Sequence, residues 1–172
     1  MKIHYRTEGN IVIKIHDTAK VSPKSDIEDS SRGSLIEIGA NSTIDSFVKF
    51  KPAGGTGDIK IGNRVYINSC CVLYSGNGIS IGDDVLISAN CTLAPVNHEY
   101  KNKLKKISTQ GHAKSKGGVT IEENVWIGSN TVILDGSYIC SGTIIAAGSV
   151  VRGKCESNRI FGGNPLREIK KI

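Results

Sequence analysis

Residues 121–156 read IEENVW, IGSNTV, ILDGSY, ICSGTI, IAAGSV, VRGKCE, six consecutive units of six residues. A branched aliphatic opens each unit: Ile121, Ile127, Ile133, Ile139, Ile145 and Val151. Four places later stands Val or a small side chain: Val125, Thr131, Ser137, Thr143, Ser149 and Cys155. Side chains along a strand alternate faces, so these two positions of each unit point the same way, inward. A hexapeptide period predicts an all-β chain wound as a parallel β-helix. Three units make one triangular coil, and the inward aliphatics of successive coils stack into a ladder.

The same phase runs back through most of the chain. It is present at Ile81, Ile87 and Leu93, paired with Val85, Cys91 and Asn97, and again at Ile61, Ile67 and Leu73. It continues at Ile38 and Ile44, then more weakly at Ile15, Val21 and Ile27, paired with Ala19, Ser25 and Ser31. Coils are predicted at about 15–37, 38–60, 61–80, 81–120, 121–138 and 139–156. Stacked at roughly 4.8 Å, six coils stand about 29 Å tall. Gly39, Gly62, Gly82 and Gly128 follow opening aliphatics, and a permissive backbone is expected at those corners. The period leaves the handedness open, and the general preference for right-handed crossovers argues for right.

Two stretches break the repeat. KPAGGTGD at 51–58 is a short corner insertion, and 98–118 is a long loop. After Ser157 the repeat stops. Asn164 and Pro165 read as an N-cap and first helical position. The tail, LREIKKI, is expected as a short helix or strand within a C-terminal cap spanning about 157–172. Solenoids need such caps at their ends.

The chain has 172 residues, which predicts a single domain over 1–172. Twenty glycines and 5% aromatic residues suit a narrow core of Ile, Val and small side chains. No stretch is long and apolar enough to span a membrane, and MKIHYRTEGN has no apolar signal core. Cys71, Cys91 and Cys155 fall in the small inward slot, where a thiol acts as an apolar filler. Cys70 and Cys71 are adjacent, and the pattern is not a disulfide framework. Together these features predict a reduced, cytoplasmic protein.

The formal charge of +6 raises nucleic acid as a partner. The charge is concentrated, however, at Lys101, Lys103, Lys105, Lys106, Lys114 and Lys116 in the non-repeating loop. No aromatics are interleaved there to stack on bases, and no recognition-helix or zinc-finger spacing occurs. No nucleic-acid partner is therefore expected. The loop lysines are either a solvated surface or a patch that meets the phosphates of a cofactor or an anionic substrate.

With VWIGSNTVI, GTIIAAGSVV and FGGNP in place, the chain resembles the hexapeptide-repeat acetyltransferases. Within them it is similar to the maltose and galactoside O-acetyltransferases and to those that decorate surface polysaccharides. The likeness covers about residues 38–168. It implies left-handed winding, a homotrimer, and acetyl-CoA as acetyl donor bound between neighbouring subunits, with no metal required. It also implies a carbohydrate hydroxyl as acceptor, on a surface polysaccharide such as O antigen or capsule, or on its sugar precursor.

The same resemblance implies roles residue by residue. In ISANCTLAPVNHEY, residues 87–100, His98 stands where the family has its general base. An imidazole that titrates near neutrality suits removal of a hydroxyl proton during attack on a thioester, and a backbone carbonyl is expected to hold its other nitrogen. Tyr66 and Asn68 match positions that contact the acceptor or the acetyl group. Trp126 lies one place before an inward aliphatic and so points outward, towards a neighbouring subunit or the acetyl–pantetheine region. Gly128, Ser129, Ala146 and Ala147 line the family's pantetheine groove, and Arg152, Lys154 and Arg167 are candidate phosphate contacts. The family often has VxKDVP after the last coil, and here the stretch is VRGKCES. His112 is expected to be a solvated loop residue.

Rival classes remain in view. A γ-type carbonic anhydrase shares the β-helix and holds zinc with three histidines, but His4, His16, His98 and His112 show no such spacing. Transfer to an amine of a sugar nucleotide is the alternative within the enzymes. A non-enzymatic β-helix serving as a binding module is the alternative outside them.

Overall fold

The computed structural model describes residues 3–8, 11–28 and 32–172, with the backbone alone for residues 3–8 and 11–12. Among these, every regular element except one single-turn 3-10 helix, Ile107–Thr109, is a strand. The strands form three sheets, the faces of a left-handed parallel β-helix. The first face carries Leu35–Ile38, Ile59–Ile61, Ile79–Ile81, Val119–Ile121, Ser137–Ile139 and Lys154–Cys155 in consecutive coils. The second carries Thr43–Ile44, Tyr66–Ile67, Leu86–Ile87, Trp126–Ile127 and Ile144–Ile145. The third carries Lys49–Lys51, Val72–Tyr74, Thr92–Ala94, Val132–Leu134 and Val150–Val151.

The hexapeptide phase sets the register. Ile81 lies between Ile61 and Ile121, Ile87 between Ile67 and Ile127, and Leu93 between Leu73 and Ile133. All nine are buried, and Val85, Cys91, Val125, Thr131, Ser137, Thr143, Ser149 and Cys155 are buried with them. Two of these inward hydroxyls are bonded within their own turns: Thr131 and Ser149 donate to the carbonyls of Gly128 and Ala146 at 2.7 and 2.5 Å. Each therefore fills the small slot without leaving a polar atom unpaired. The weak first coil is less covered, with Ile15, Ala19, Val21 and Ile27 only partly buried against the core. Ser31 of that coil lies outside the described residues. All five cysteines are thiols.

Three sequence expectations change. The corner glycines are needed for space and not for conformation. A Cβ on Gly82 would sit 2.7 Å from the amide nitrogen of Glu123, and one on Gly128 2.5 Å from that of Ala147, both in the next coil. The left-handed backbone falls two places later, at Asn41, Arg64, Asp84 and Asn124 on one corner and Cys70, Asn90 and Asn130 on the next. Asn97, placed by phase in the inward slot, leaves the core because the coil breaks at Pro95, and it is only half-buried. Asn164 and Pro165 start no helix. Their peptide bond is cis, and Arg167–Lys171 returns as a strand antiparallel to Arg159–Gly162. At the other end Ile3–Glu8 pairs antiparallel with Ile11–His16. The two ends of the solenoid are thus both closed by hairpins.

Candidate active site

The corner where each coil leaves the second face stacks one residue per coil into a column. Asn68 donates its backbone N–H to Ile87, Ser88 to Ile127, Gly128 to Ile145 and Ala146 to Phe161, all between 2.7 and 2.9 Å. Asn68, Ser88, Gly128 and Ala146 are therefore in register, with Ser129 and Ala147 beside them. The Asn68 side-chain amide also donates to the Ile87 carbonyl at 3.1 Å, which holds it to the corner. Beyond Asn68 the side chains at this edge are small: Ser88, Gly128, Ser129, Ala146 and Ala147. Arg167 pairs with Gly162, the next position after Ala146 in the column, and lies at its C-terminal end.

Trp126 is outward, 49% exposed, between Leu86 and Ile144 on the second face. Its indole N–H donates to the Ser88 hydroxyl at 3.2 Å, so the ring leans towards the column. Tyr66 stands two coils away on the same stripe, in register with Leu86. Sequence reasoning did not single out Ser88. Its place in ISANC, one after an inward aliphatic, is that of Asn68 in INSC, and this matched phase was the available signal.

His98 sits on a different corner, where the third face gives way to the first. There the loop 98–118 folds into a short antiparallel ladder. Ala113 donates to the Asn97 carbonyl at 2.8 Å and Glu99 to that of Gly111 at 3.0 Å. His98 and His112 face each other between these bonds. Such a non-hydrogen-bonded cross-strand pair brings side chains together on one side, and the ring centroids are 5.2 Å apart. His112 is exposed in the loop, as expected, and in addition faces His98, a pairing made by the loop's own reversal that sequence spacing could not show. Among the described residues no hydrogen bond to the His98 ring is present, and His112 is its neighbour in place of the expected carbonyl.

The loop is ordered locally. The Gln110 side chain accepts from the Asn102 N–H at 3.1 Å and donates to the carbonyls of Asn102 and Lys105 at 3.0 and 3.1 Å. Asp135, buried, accepts the backbone N–H groups of Lys116 and Gly118 at 2.9 and 3.0 Å and anchors the loop's return. Between loop and coils lies a cleft of about 910 Å³ lined by His98, Tyr100, Lys114, Lys116, Leu134 and Arg152, among others. Arg152 is therefore on the His98 corner. Lys154 is on the first face and pairs with Glu156 at 3.1 Å. Its ammonium is stabilised in the charged form by that carboxylate.

Within one chain the structure brings Asn68, Tyr66, Trp126, Gly128, Ser129, Ala146, Ala147 and Arg167 to one edge, and His98 with Arg152 to another. The third face stands between them, about 10 Å of strand at roughly 3.3 Å per residue.

A left-handed β-helix is a scaffold that several functions share, and the family is given by the comparisons. The bacterial transferase hexapeptide model (six repeats) matches residues 118–153, and the hexapeptide repeat of succinyl-transferase matches residues 58–95. The chain is 34% identical to the galactoside O-acetyltransferase of Escherichia coli (strain K12), over 88% of this chain and 72% of that protein. It is 31% identical to the putative lipopolysaccharide biosynthesis O-acetyl transferase WbbJ of the same strain, over 69% and 63% respectively. AntD, an N-acyltransferase from Bacillus cereus solved in complex with dTDP and coenzyme A, shares the fold with a TM-score of 0.74. That match is 24% identical and covers 89% of this chain and 82% of that one. The chain belongs to the hexapeptide-repeat acetyltransferases.

Proposed function

We propose that the protein transfers an acetyl group from acetyl-CoA to a hydroxyl of a carbohydrate, a bacterial surface polysaccharide or its sugar precursor, with His98 as general base. The observation that carries this reading is an exposed histidine at the mouth of the loop, lining a cleft large enough for a sugar. Pockets for small ligands run to about 300–1,000 Å³. The likeness to two O-acetyltransferases supports a hydroxyl acceptor.

The residues divide the work by edge. Gly128, Ser129, Ala146 and Ala147 let the thin pantetheine arm lie against backbone, with Arg167 at the end of the column for phosphate. Trp126 and Ser88 flank the thioester end, and Asn68 and Tyr66 meet the acetyl group or acceptor. A general base must be within about 2.6–3.2 Å of the oxygen whose proton it takes. His98 cannot be so placed towards the column of its own chain, because the third face intervenes. A second copy must bring its His98 corner to the first copy's column. A ring of three such contacts closes without leaving an open edge, so the working unit is a homotrimer with three shared sites.

The test is His98→Ala assayed by thiol release with sugar acceptors. Loss of a general base is expected to cost about 10²–10⁴ in turnover, with acetyl-CoA binding unchanged. With a hydroxyl acceptor the defect persists from about pH 6 to 9. A sugar amine is largely unprotonated by about pH 9, so recovery there would make the acceptor an amine. A variant as active as wild type at pH 7 would remove His98 from the chemistry.

A further inference from the structure

The charges of the cleft beside His98 do not balance. Two carboxylates line it, and both are engaged by backbone N–H groups. Glu99 accepts from Tyr100 and Lys101 at 2.8 and 3.0 Å, and these bonds hold its carboxyl below the usual range. Asp135 accepts from Lys116 and Gly118. Four cations line the same cleft: Lys101, Lys114, Lys116 and Arg152. Lys101 lies near enough to Glu99 to help keep it ionised. Among the described residues no ion pair engages Lys114, Lys116 or Arg152.

The backbone position of one of these cations is built in. Lys116 sits where the buried Asp135 fixes its backbone, and its side chain runs over Gly136 so closely that a Cβ there would meet the Lys116 Cβ at 2.8 Å. Arg152 comes from the turn after Val150–Val151, across the cleft from the loop. Loop and coil thus present positive charge from two sides, with two positive charges in excess.

We propose that this cleft binds the phosphate of a phosphorylated sugar acceptor, so that the substrate is a sugar phosphate monoester and not a neutral finished glycan. A phosphate monoester carries about −1.5 to −2 charge at pH 7, which matches the excess. Lys is a compact point charge suited to phosphate. Leu134 and Tyr100 line the same cleft and offer apolar surface for the sugar. This inference rests on His98 marking the acceptor end of the site.

The test uses the full chain and inorganic phosphate as probe, followed by phosphorus NMR titration at low salt. Saturable binding is expected in wild type and in His98→Ala, weakened by at least about tenfold in Lys114→Gln/Lys116→Gln, as loss of two charge-assisted bonds requires. Binding is expected to persist with saturating coenzyme A. No saturable binding, or equal binding in the double variant, would overturn the proposal. Displacement by coenzyme A would also overturn it, by assigning these cations to the donor's phosphates. The readout does not depend on turnover, so failure of the O-acetyltransferase reading would show separately, in the His98 assay.

Discussion

At the residue scale, function and fold compete for the same corner positions, and size decides which residue is tolerated. Ala147 is exposed at the corner after the second face, whereas Gly82 is wedged against the next coil. Ala147→Leu should fill the proposed path of the pantetheine arm without touching the core. The expected result is at least about a tenfold loss of acetyl-CoA affinity by calorimetry, since a blocked contact of about 1.4 kcal/mol suffices, with an unchanged melting temperature. Unchanged affinity would remove Ala147 from the site. Gly82→Ala should do the opposite. Its methyl would overlap the Glu122–Glu123 backbone, and overpacking of this kind costs about 1–3 kcal/mol, measurable by denaturant unfolding. The inward aliphatics and the phase of Trp126 were legible from alternation alone. The His98–His112 pair was not, because they stand fourteen positions apart in sequence and only the loop's reversal brings them together.

At the element scale, coils are tied by carboxylates as well as by strand pairing. Asp83 accepts the Asn63 backbone N–H at 2.8 Å, and this bond, with one from the Asn63 side chain, holds its carboxyl below the usual range. Arg64 forks onto Asp84 at 2.6 and 2.7 Å and does the same for that group. A carboxyl whose folded pKa is depressed adds stability that is present above its unfolded value of about 3.9 and is lost as pH falls through the folded value. The melting temperature is therefore expected to hold between pH 7 and 5 and to fall below about pH 4. In Asp83→Asn/Asp84→Asn that acid-side fall should be shallower, and the neutral-pH stability lower. An acid profile identical to wild type would show that these corner carboxylates do not couple to folding. The hairpin closing the C-terminal end was readable only as helix or strand. LREIKKI alternates too weakly to choose, and it becomes a strand because the edge Arg159–Gly162 offers unpaired backbone groups.

At the scale of the whole molecule, the second face carries an apolar stripe, Tyr66, Leu86 and Trp126, in direct register and 38%, 51% and 49% exposed. Together with the separation of His98 from the corner that stacks Asn68, Gly128 and Ala146, this predicts a symmetric trimer. Light scattering at micromolar concentration should give three times the chain mass, and a monomer retaining full activity would overturn the shared-site arrangement. The period was legible along the chain: the coils and their inward ladder follow from where six-residue spacing holds, whereas the loop's start was not, since the phase ran on to Asn97 and the coil breaks at Pro95. Coils and ladder are local consequences of alternation and of a repeat that repeats its contacts. Only the tertiary structure decided which corners the candidate residues share. The corner a side chain reaches depends on how many residues each turn uses and on how an inserted loop folds back. No spacing along the chain records that His98 and Arg152 meet on one edge, while Asn68, Gly128 and Ala146 meet on another.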